Sequence, residues 1–187
     1  MSRVLVLYGT SEGQTAKIAS AIAMRLRADD IDADVVKAGT VDAHPSDYAG
    51  IIVAGSIHAG GYQKPIDRWL RAHVKELGGR PTAFVSVCLS VLSKRDTDRD
   101  EARAMPRRFV DKLGWRPTLI KVVAGALPYT QYNMFTRWIM KRIASAAGGD
   151  TDTSRDYEYT DWKDLGDFAD RFAALVSTAP VVCAVAS

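Results

Sequence analysis

Short apolar runs recur along the chain and alternate with segments in which apolar residues repeat at helical spacing. Four of these runs are rich in β-branched residues, at 4–7, 51–54, 83–87 and 119–124. Short, continuously apolar runs of this kind are typical of strands that are covered on both faces. A fifth run at 33–36 is more polar, which suits an edge strand. The pattern therefore predicts five strands.

Helical spacing fills the intervals between these runs. It extends over 18–26 and over 66–77, the second segment opened by Pro65, and a closing helix begins at about Asp161, a residue type that caps helices. Strands that alternate with helices predict an α/β fold with a doubly wound parallel sheet, and right-handed crossovers leave few topologies. We predict the flavodoxin-like order 2-1-3-4-5.

Length and composition favour one domain. The 187 residues are 47% hydrophobic, which is enough to close a single core, so we predict one domain at 1–176 and a C-terminal tail at 177–187. The two cysteines, Cys88 and Cys183, have no CxxC spacing, and His44, His58 and His73 are scattered, so no metal site is predicted. The apolar run at 4–7 is too short for a signal peptide or a membrane span, and we expect a cytoplasmic protein.

The loop after the first strand carries the clearest chemistry. It consists of Thr10, Ser11, Glu12, Gly13, Gln14 and Thr15 and leads directly into a helix. Ligands of doubly wound sheets bind beyond the carboxyl ends of the strands, and hydroxyl groups at the positive end of a helix form a natural phosphate cradle. In the alternative interpretation, Thr10 or Ser11 simply caps the helix and no ligand binds.

Three related phosphate-loop patterns do not match this segment. A Walker loop needs four residues between its glycines and then Gly-Lys, whereas three residues separate Gly9 from Gly13 and no lysine follows. The same spacing excludes the GxGxxG pattern of dinucleotide sites. A phosphoacceptor receiver would have carboxylates just after the first strand, where this chain has Tyr8 and Gly9. A mononucleotide therefore remains as the candidate ligand of this loop.

Two further loops should lie at the same edge of the sheet, beyond the carboxyl ends of the strands. After the third predicted strand, glycines between 55 and 61 would let the backbone approach a flat ring, which His58 or Tyr62 could contact. After the fourth, residues 86–90 are small or apolar and offer backbone donors. Each loop has an alternative interpretation as an ordinary turn, with Cys88 a buried thiol that has no redox role.

Together these segments resemble a known family. The matching stretches are 10–15, 55–57, 84–89, 114–117, 124–127 with Tyr129, 149–153 and 159–162, and the resemblance extends to about Leu175. It is to the menaquinone-dependent protoporphyrinogen oxidases of the flavodoxin class, which use FMN in bacterial haem synthesis. The resemblance implies oxidation of protoporphyrinogen IX with menaquinone or another quinone as electron acceptor. It also implies an insertion at about 128–156 that interrupts strand five, which would resume near 157–159.

The resemblance assigns roles to particular residues. It implies that residues 10–15 bind the FMN phosphate. It also implies that the loops around 56–62 and 86–89 flank the isoalloxazine ring. We predict as cofactor-binding residues Thr10, Ser11, Glu12, Gly13, Gln14, Thr15, Ser56, Ile57, His58, Tyr62, Ser86, Val87, Cys88, Leu89 and Asp152. Candidate catalytic helpers are His58, Tyr62 and Tyr129.

Charge is unevenly distributed. The net charge is only +3 and gives no reason to expect nucleic acid, but residues 116–147 contain five basic and no acidic residues. Within them, 131–147 has the pattern of a basic amphipathic helix, which could bind an anionic membrane surface or pack on its own domain. Electron-carrying flavodoxins typically present an acidic surface instead. That carrier role, an NAD(P)H-dependent FMN quinone reductase and a non-catalytic relic are the alternative functions.

Overall fold

The computed structural model describes residues 2–58, 60–127, 129–131, 145 and 150–179. The strands are β1 (Arg3–Gly9), β2 (Asp32–Lys37), β3 (Gly50–His58), β4 (Gly61–Tyr62), β5 (Thr82–Val87), β6 (Leu119–Val123), β7 (Ala126–Leu127) and β8 (Tyr157–Glu158). The α-helices are α1 (Gln14–Ala28), α2 (Lys64–His73), α3 (Asp96–Lys112) and α4 (Trp162–Thr178). Short 3₁₀ helices occupy Pro45–Asp47, Val74–Glu76, Leu89–Leu92 and Tyr129–Gln131.

The main sheet has the predicted topology. Five strands run parallel in the order β2-β1-β3-β5-β6, which is the 2-1-3-4-5 order, and β4 pairs antiparallel with β3. The register places Gly9 beside Gly55 and Gly55 beside Ser86, in one row across three strands. The carboxyl ends of β1, β3 and β5 therefore meet at one edge, as the loop argument requires.

The sheet separates two apolar layers. Alternate residues of β1 point to opposite faces, so Val4 and Val6 join one buried cluster with α1 and α4, while Leu5 and Leu7 join the other with α2 and α3. All four of these β1 side chains are fully buried. This two-sided burial explains why the strand is apolar at four successive positions, 4–7, rather than at alternate ones.

The predicted helices form, and one more appears. Asp161 caps α4 by accepting a hydrogen bond from the Asp164 N–H at 3.0 Å, and Pro65 lies in the first turn of α2. The unpredicted helix is α3, whose surface is mostly charged and which buries only Ala102, Pro106 and Val110. Among the described residues, no helix combines the length and apolar character needed to span a bilayer.

The base of the insertion differs from the prediction. Residues 157–159 do not extend the parallel sheet, because β8 pairs antiparallel with β7 and the Tyr159 N–H donates to the Gly125 carbonyl at 3.1 Å. β7 and β8 form a separate two-stranded antiparallel sheet at the base of the insertion. Most of the insertion and the tail from residue 180 lie outside the described residues, and α4 continues to Thr178.

Gly9 allows α2 to approach the end of β1. A Cβ at Gly9 would lie 2.7 Å from Cγ1 of the buried Ile66 and 3.0 Å from Oε1 of Gln63. We expect Gly9→Ala to lower the free energy of unfolding by about 1–3 kcal/mol through overpacking, measured by urea denaturation. The matched control is Gly78→Ala, where a Cβ would meet no described atom within 4 Å apart from its chain neighbours. Equal stability of both variants would contradict the prediction.

Candidate functional site

The loop between β1 and α1 is closed by its own hydrogen bond. The Thr10 hydroxyl oxygen accepts the Gly13 N–H at 2.8 Å, and Gly13 has a positive φ of 93°, a conformation that favours glycine. Gly13 is the N-cap of α1, and no side chain of the described residues caps the helix. The alternative in which Thr10 or Ser11 caps α1 is therefore wrong, and the helix end remains available to an anion.

Thr15 lies buried at this helix end. Its side chain is 1% exposed, and its hydroxyl finds no hydrogen-bond partner within the described part of the chain. Leaving a buried hydroxyl unpaired costs about 1–3 kcal/mol, so such a group calls for a ligand or another explanation. The first turn of α1 contains no acidic residue and does contain Lys17. The donor set therefore fits a phosphate group.

Gln14 faces a different partner. Its Nε2 donates to the Thr160 hydroxyl oxygen at 2.9 Å, and the Thr160 hydroxyl donates to the Ala124 carbonyl at 2.9 Å. Both side chains are only 8% exposed. This buried chain of hydrogen bonds ties the start of α1 to the segments that flank the insertion. The role of Gln14 as a direct cofactor contact stays a prediction. Its amide nitrogen already donates a hydrogen bond to Thr160.

The predicted loop after the third strand is mostly strand. β3 continues through Ser56 and Ile57 to His58, and β4 returns beside it, with Ile57 paired to Tyr62 and His58 to Gly61. Gly60, with φ 79°, provides the tight reversal. The His58 side chain and Ala59 lie outside the described residues. Ring stacking at this hairpin stays a prediction.

Tyr62 points into the protein. Its ring contacts Phe84 and Phe109 at centroid distances of 4.9 and 4.5 Å, and its hydroxyl shares a 2.8 Å hydrogen bond with the Ser86 hydroxyl. Burial raises the pKa of Tyr62 well above its ordinary value, so the phenol stays protonated at neutral pH. Beside it, Gln63 Nε2 donates to the Ser56 hydroxyl oxygen. These contacts hold the Tyr62 and Gln63 side chains in place beside the ends of β3 and β5. They leave the Tyr62 hydroxyl poorly suited to accept a proton.

The third loop presents backbone more than side chain. Ser86 is fully buried and Val87 is 4% exposed. The Cys88 N–H donates to the Val123 carbonyl at 3.0 Å, so the prediction of a free backbone donor is wrong at this residue. Cys88 forms no disulfide with a described residue and is partly exposed, which the buried-thiol alternative did not predict. Leu89 begins a short 3₁₀ helix beside Gly125, whose missing side chain leaves room for Val87.

Tyr129 and Asp152 lie at the base of the insertion. Tyr129 is fully buried and donates its hydroxyl to the Asp150 carbonyl at 2.8 Å; burial, Tyr157 and Asp150 raise its pKa. Asp152 accepts the N–H and hydroxyl of Ser154 at 3.0 and 2.7 Å, forming a local turn. Their roles as helper and cofactor ligand stay predictions.

Sequence reasoning missed a cavity beside the loop between β1 and α1. It encloses about 270 Å³ and is lined by Glu12, Gly13, Gln14, Lys17, Ala126, Asp156 and Glu158. Lys17 pairs with Glu158 at 3.3 Å, and Trp162 Nε1 donates to the same carboxylate at 2.9 Å. Burial raises the pKa of Glu158, but hydrogen bonds from Trp162 and Lys17 outweigh it and leave the pKa lowered. In the sequence, Lys17 in the first turn after Gly13 was the feature that could have indicated a charged site at this end of α1.

Sequence comparison places these features in a family. A model of the flavodoxin domain matches residues 5–154. A protein of Escherichia coli K12 named protoporphyrinogen IX dehydrogenase (quinone) is 33% identical over 92% of this chain and 96% of its own length. A protein of Leishmania major with the same name is 34% identical over 95% of this chain and 78% of its own length.

Solved structures agree on the fold. An archaeal flavodoxin has a TM-score of 0.56 with 14% identity, covering 94% of this chain and 99% of that protein. Oxidised flavodoxin 2 from Bacillus cereus has a TM-score of 0.57 with 16% identity, covering 92% and 99%. At such identities the likeness concerns the fold alone. The flavodoxin-domain match and the two curated relatives show that the chain belongs to the flavodoxin-domain family and, within it, to the protoporphyrinogen IX dehydrogenase (quinone) family of oxidoreductases.

Proposed function

We propose that the chain binds FMN at the carboxyl edge of the sheet, with the phosphate at residues 10–15. The observation that carries this proposal is the buried Thr15 hydroxyl at the positive end of α1, which has no hydrogen-bond partner among the described residues. Thr10 keeps the loop closed through its hydrogen bond with Gly13. The backbone near Ser56 and Cys88 would border the ring. Bound FMN would supply the two-electron redox chemistry that amino-acid side chains lack.

We propose further that the reaction is oxidation of protoporphyrinogen IX to protoporphyrin IX with menaquinone as acceptor, in haem biosynthesis. The names of both curated relatives support the substrate and the quinone class. The substrate is an apolar macrocycle with propionate groups, and the basic stretch at 116–147 has the charge that suits it. Among the candidate helpers, the Tyr62 and Tyr129 hydroxyls are already hydrogen-bonded, which leaves His58 as the first residue to test.

The acceptor suggests a location. Menaquinone resides in the membrane, and the basic amphipathic pattern at 131–147 favours peripheral contact with an anionic inner leaflet by a cytoplasmic protein. This part of the proposal is based on sequence, because almost all of 131–147 lies outside the described residues.

The decisive experiment is anaerobic mixing. We expect protoporphyrinogen IX to bleach the yellow absorbance of the FMN-loaded chain, and a menaquinone analogue to restore it while porphyrin fluorescence grows. Free FMN at the same concentration is the control for uncatalysed reduction. Failure of the porphyrinogen to bleach the loaded chain would overturn the proposed reaction. Rapid bleaching by NAD(P)H but not by porphyrinogen would instead favour a quinone reductase.

A further inference from the structure

Two of the three histidines, scattered in sequence, meet in the structure. His44 lies in the loop between β2 and β3, His73 ends α2, and Glu76 follows in the 3₁₀ helix Val74–Glu76. The helix α2 begins beyond the carboxyl end of β3, and the loop with His44 leads into the amino end of the same strand. The cluster therefore lies at the edge of the sheet opposite to the phosphate loop.

The three side chains have the spacing of metal ligands. Nδ1 of His73 is 3.1 Å from Glu76 Oε1, and Nδ1 of His44 is 3.4 Å from Glu76 Oε2. One ligand atom from each residue lies within 4.8 Å of the other two. Ligands bound tetrahedrally to Zn²⁺ at ordinary bond lengths are about 3.3–3.4 Å apart. Small side-chain movements would bring all three onto one ion.

Tertiary contacts hold the backbone on both sides of His44. Trp69 Nε1 donates to the Ala43 carbonyl at 3.0 Å, and Arg80 donates to the Pro45 carbonyl. The His73 ring lies between the Trp69 and His44 rings, with both centroids 5.0 Å away. Its side chain is only 10% exposed. A fixed loop and a fixed ring reduce the entropy that an ion would otherwise have to remove on binding.

A second carboxylate stands behind His73. Asp42 Oδ1 is 3.7 Å from Nε2, the ring nitrogen that faces away from Glu76. Histidines that bind a metal commonly donate their other N–H to a carboxylate, which orients the ring and makes it a better ligand. His44 and Glu76 are about half exposed, so an ion and water can reach the cluster.

We propose that His44, His73 and Glu76 bind one divalent transition-metal ion, with Zn²⁺ the best match to two imidazoles and a carboxylate. Water occupies the remaining position, and movement of the exposed Asp42 carboxylate from 3.7 Å to hydrogen-bond distance of His73 Nε2 orients the ring. The ion joins the loop before β3 to the end of α2 and stabilises this edge of the fold. The site is separate from the proposed flavin site and does not depend on it.

The test is calorimetric titration of the untagged, full-length, metal-stripped chain with Zn²⁺. We expect saturable binding of one equivalent and a higher thermal midpoint when zinc is present. His44→Ala and Glu76→Gln should each abolish that binding, and both change exposed side chains, so folding is retained. Asp42→Asn should weaken it about tenfold. His58→Ala, which removes the third histidine, is the matched control and should bind zinc like the parent chain.

Several results would overturn the site. Absence of one-equivalent binding would do so, as would unchanged zinc affinity in both His44→Ala and Glu76→Gln. Co²⁺ provides an independent readout, because a four-coordinate Co²⁺ ion absorbs visible light strongly. That absorption should appear in the parent chain and disappear in Glu76→Gln. If it persists in Glu76→Gln, the metal binds elsewhere and the proposal fails.

Discussion

Replacing Thr15 by valine is expected to weaken FMN binding about tenfold to hundredfold while raising the stability of the FMN-free protein. A hydrogen bond to a charged phosphate contributes about 1.5–3 kcal/mol, and its loss accounts for the weaker binding. Without the ligand, the Thr15 hydroxyl is buried and finds no partner among the described residues, so a methyl group of similar shape removes an unpaired polar atom. We expect a gain of about 1 kcal/mol.

The opposite signs make the Thr15 variant diagnostic. FMN affinity is measured by quenching of flavin fluorescence, and stability by urea denaturation of the FMN-free chain. Thr15→Ser is the matched control, because it keeps the hydroxyl and should keep most of the affinity. A valine variant that binds FMN as tightly as the parent chain would place the phosphate elsewhere. One that loses stability together with affinity would mean that the hydroxyl has a structural partner.

The fold was predictable because its information is local. Continuous apolar runs such as 4–7 occur where a strand is covered on both faces, and the structure buries every side chain of that run. Strands that alternate with helices then leave few topologies, and the order 2-1-3-4-5 is confirmed. The helix α3 was missed because it buries only three residues, at 102, 106 and 110, and one of them is proline. Its spacing of four was the only signal.

The convergence of the three candidate loops was predictable, but their individual contacts were less so. The register that aligns Gly9, Gly55 and Ser86 follows from the topology, so convergence of the loops could be anticipated. Individual hydrogen bonds could not. The Cys88 N–H is taken by Val123, and the Tyr62 ring turns inward because Phe84 and Phe109 offer an apolar surface. Such choices depend on tertiary neighbours that no local pattern specifies.

Contacts between distant residues were the least accessible to sequence analysis. Lys17 and Glu158 are separated by most of the chain, yet they form an ion pair next to the loop between β1 and α1. His44 and His73 meet only because α2 brings its last residue back to the amino edge of the sheet. These pairings require the path of the backbone in three dimensions. Both contacts link elements that are far apart in the sequence.

One such connection should be sensitive to a single hydroxyl group. We expect Thr160→Val to lower the free energy of unfolding by about 2–3 kcal/mol, because it leaves both the Gln14 amide and the Ala124 carbonyl without their buried partner. Urea denaturation measures the loss. Thr160→Ser keeps the hydroxyl and should lose much less. The comparison with Thr15→Val is direct, since the same change at another buried threonine should have the opposite sign.

A double-mutant cycle with Gln14→Leu separates this hydrogen bond from general packing. Removing both polar groups leaves the Ala124 carbonyl unpaired and also removes the Gln14 hydrogen bond to Glu158. The Gln14–Thr160 bond is lost only once in the double variant, so its loss of stability should be smaller than the two single losses added together. We expect a coupling free energy of about 1 kcal/mol or more. Simple additivity would mean that the start of α1 and the segment after β8 are stabilised independently. A measurable coupling would mean that the β1–α1 loop and the base of the insertion respond to each other through these two side chains.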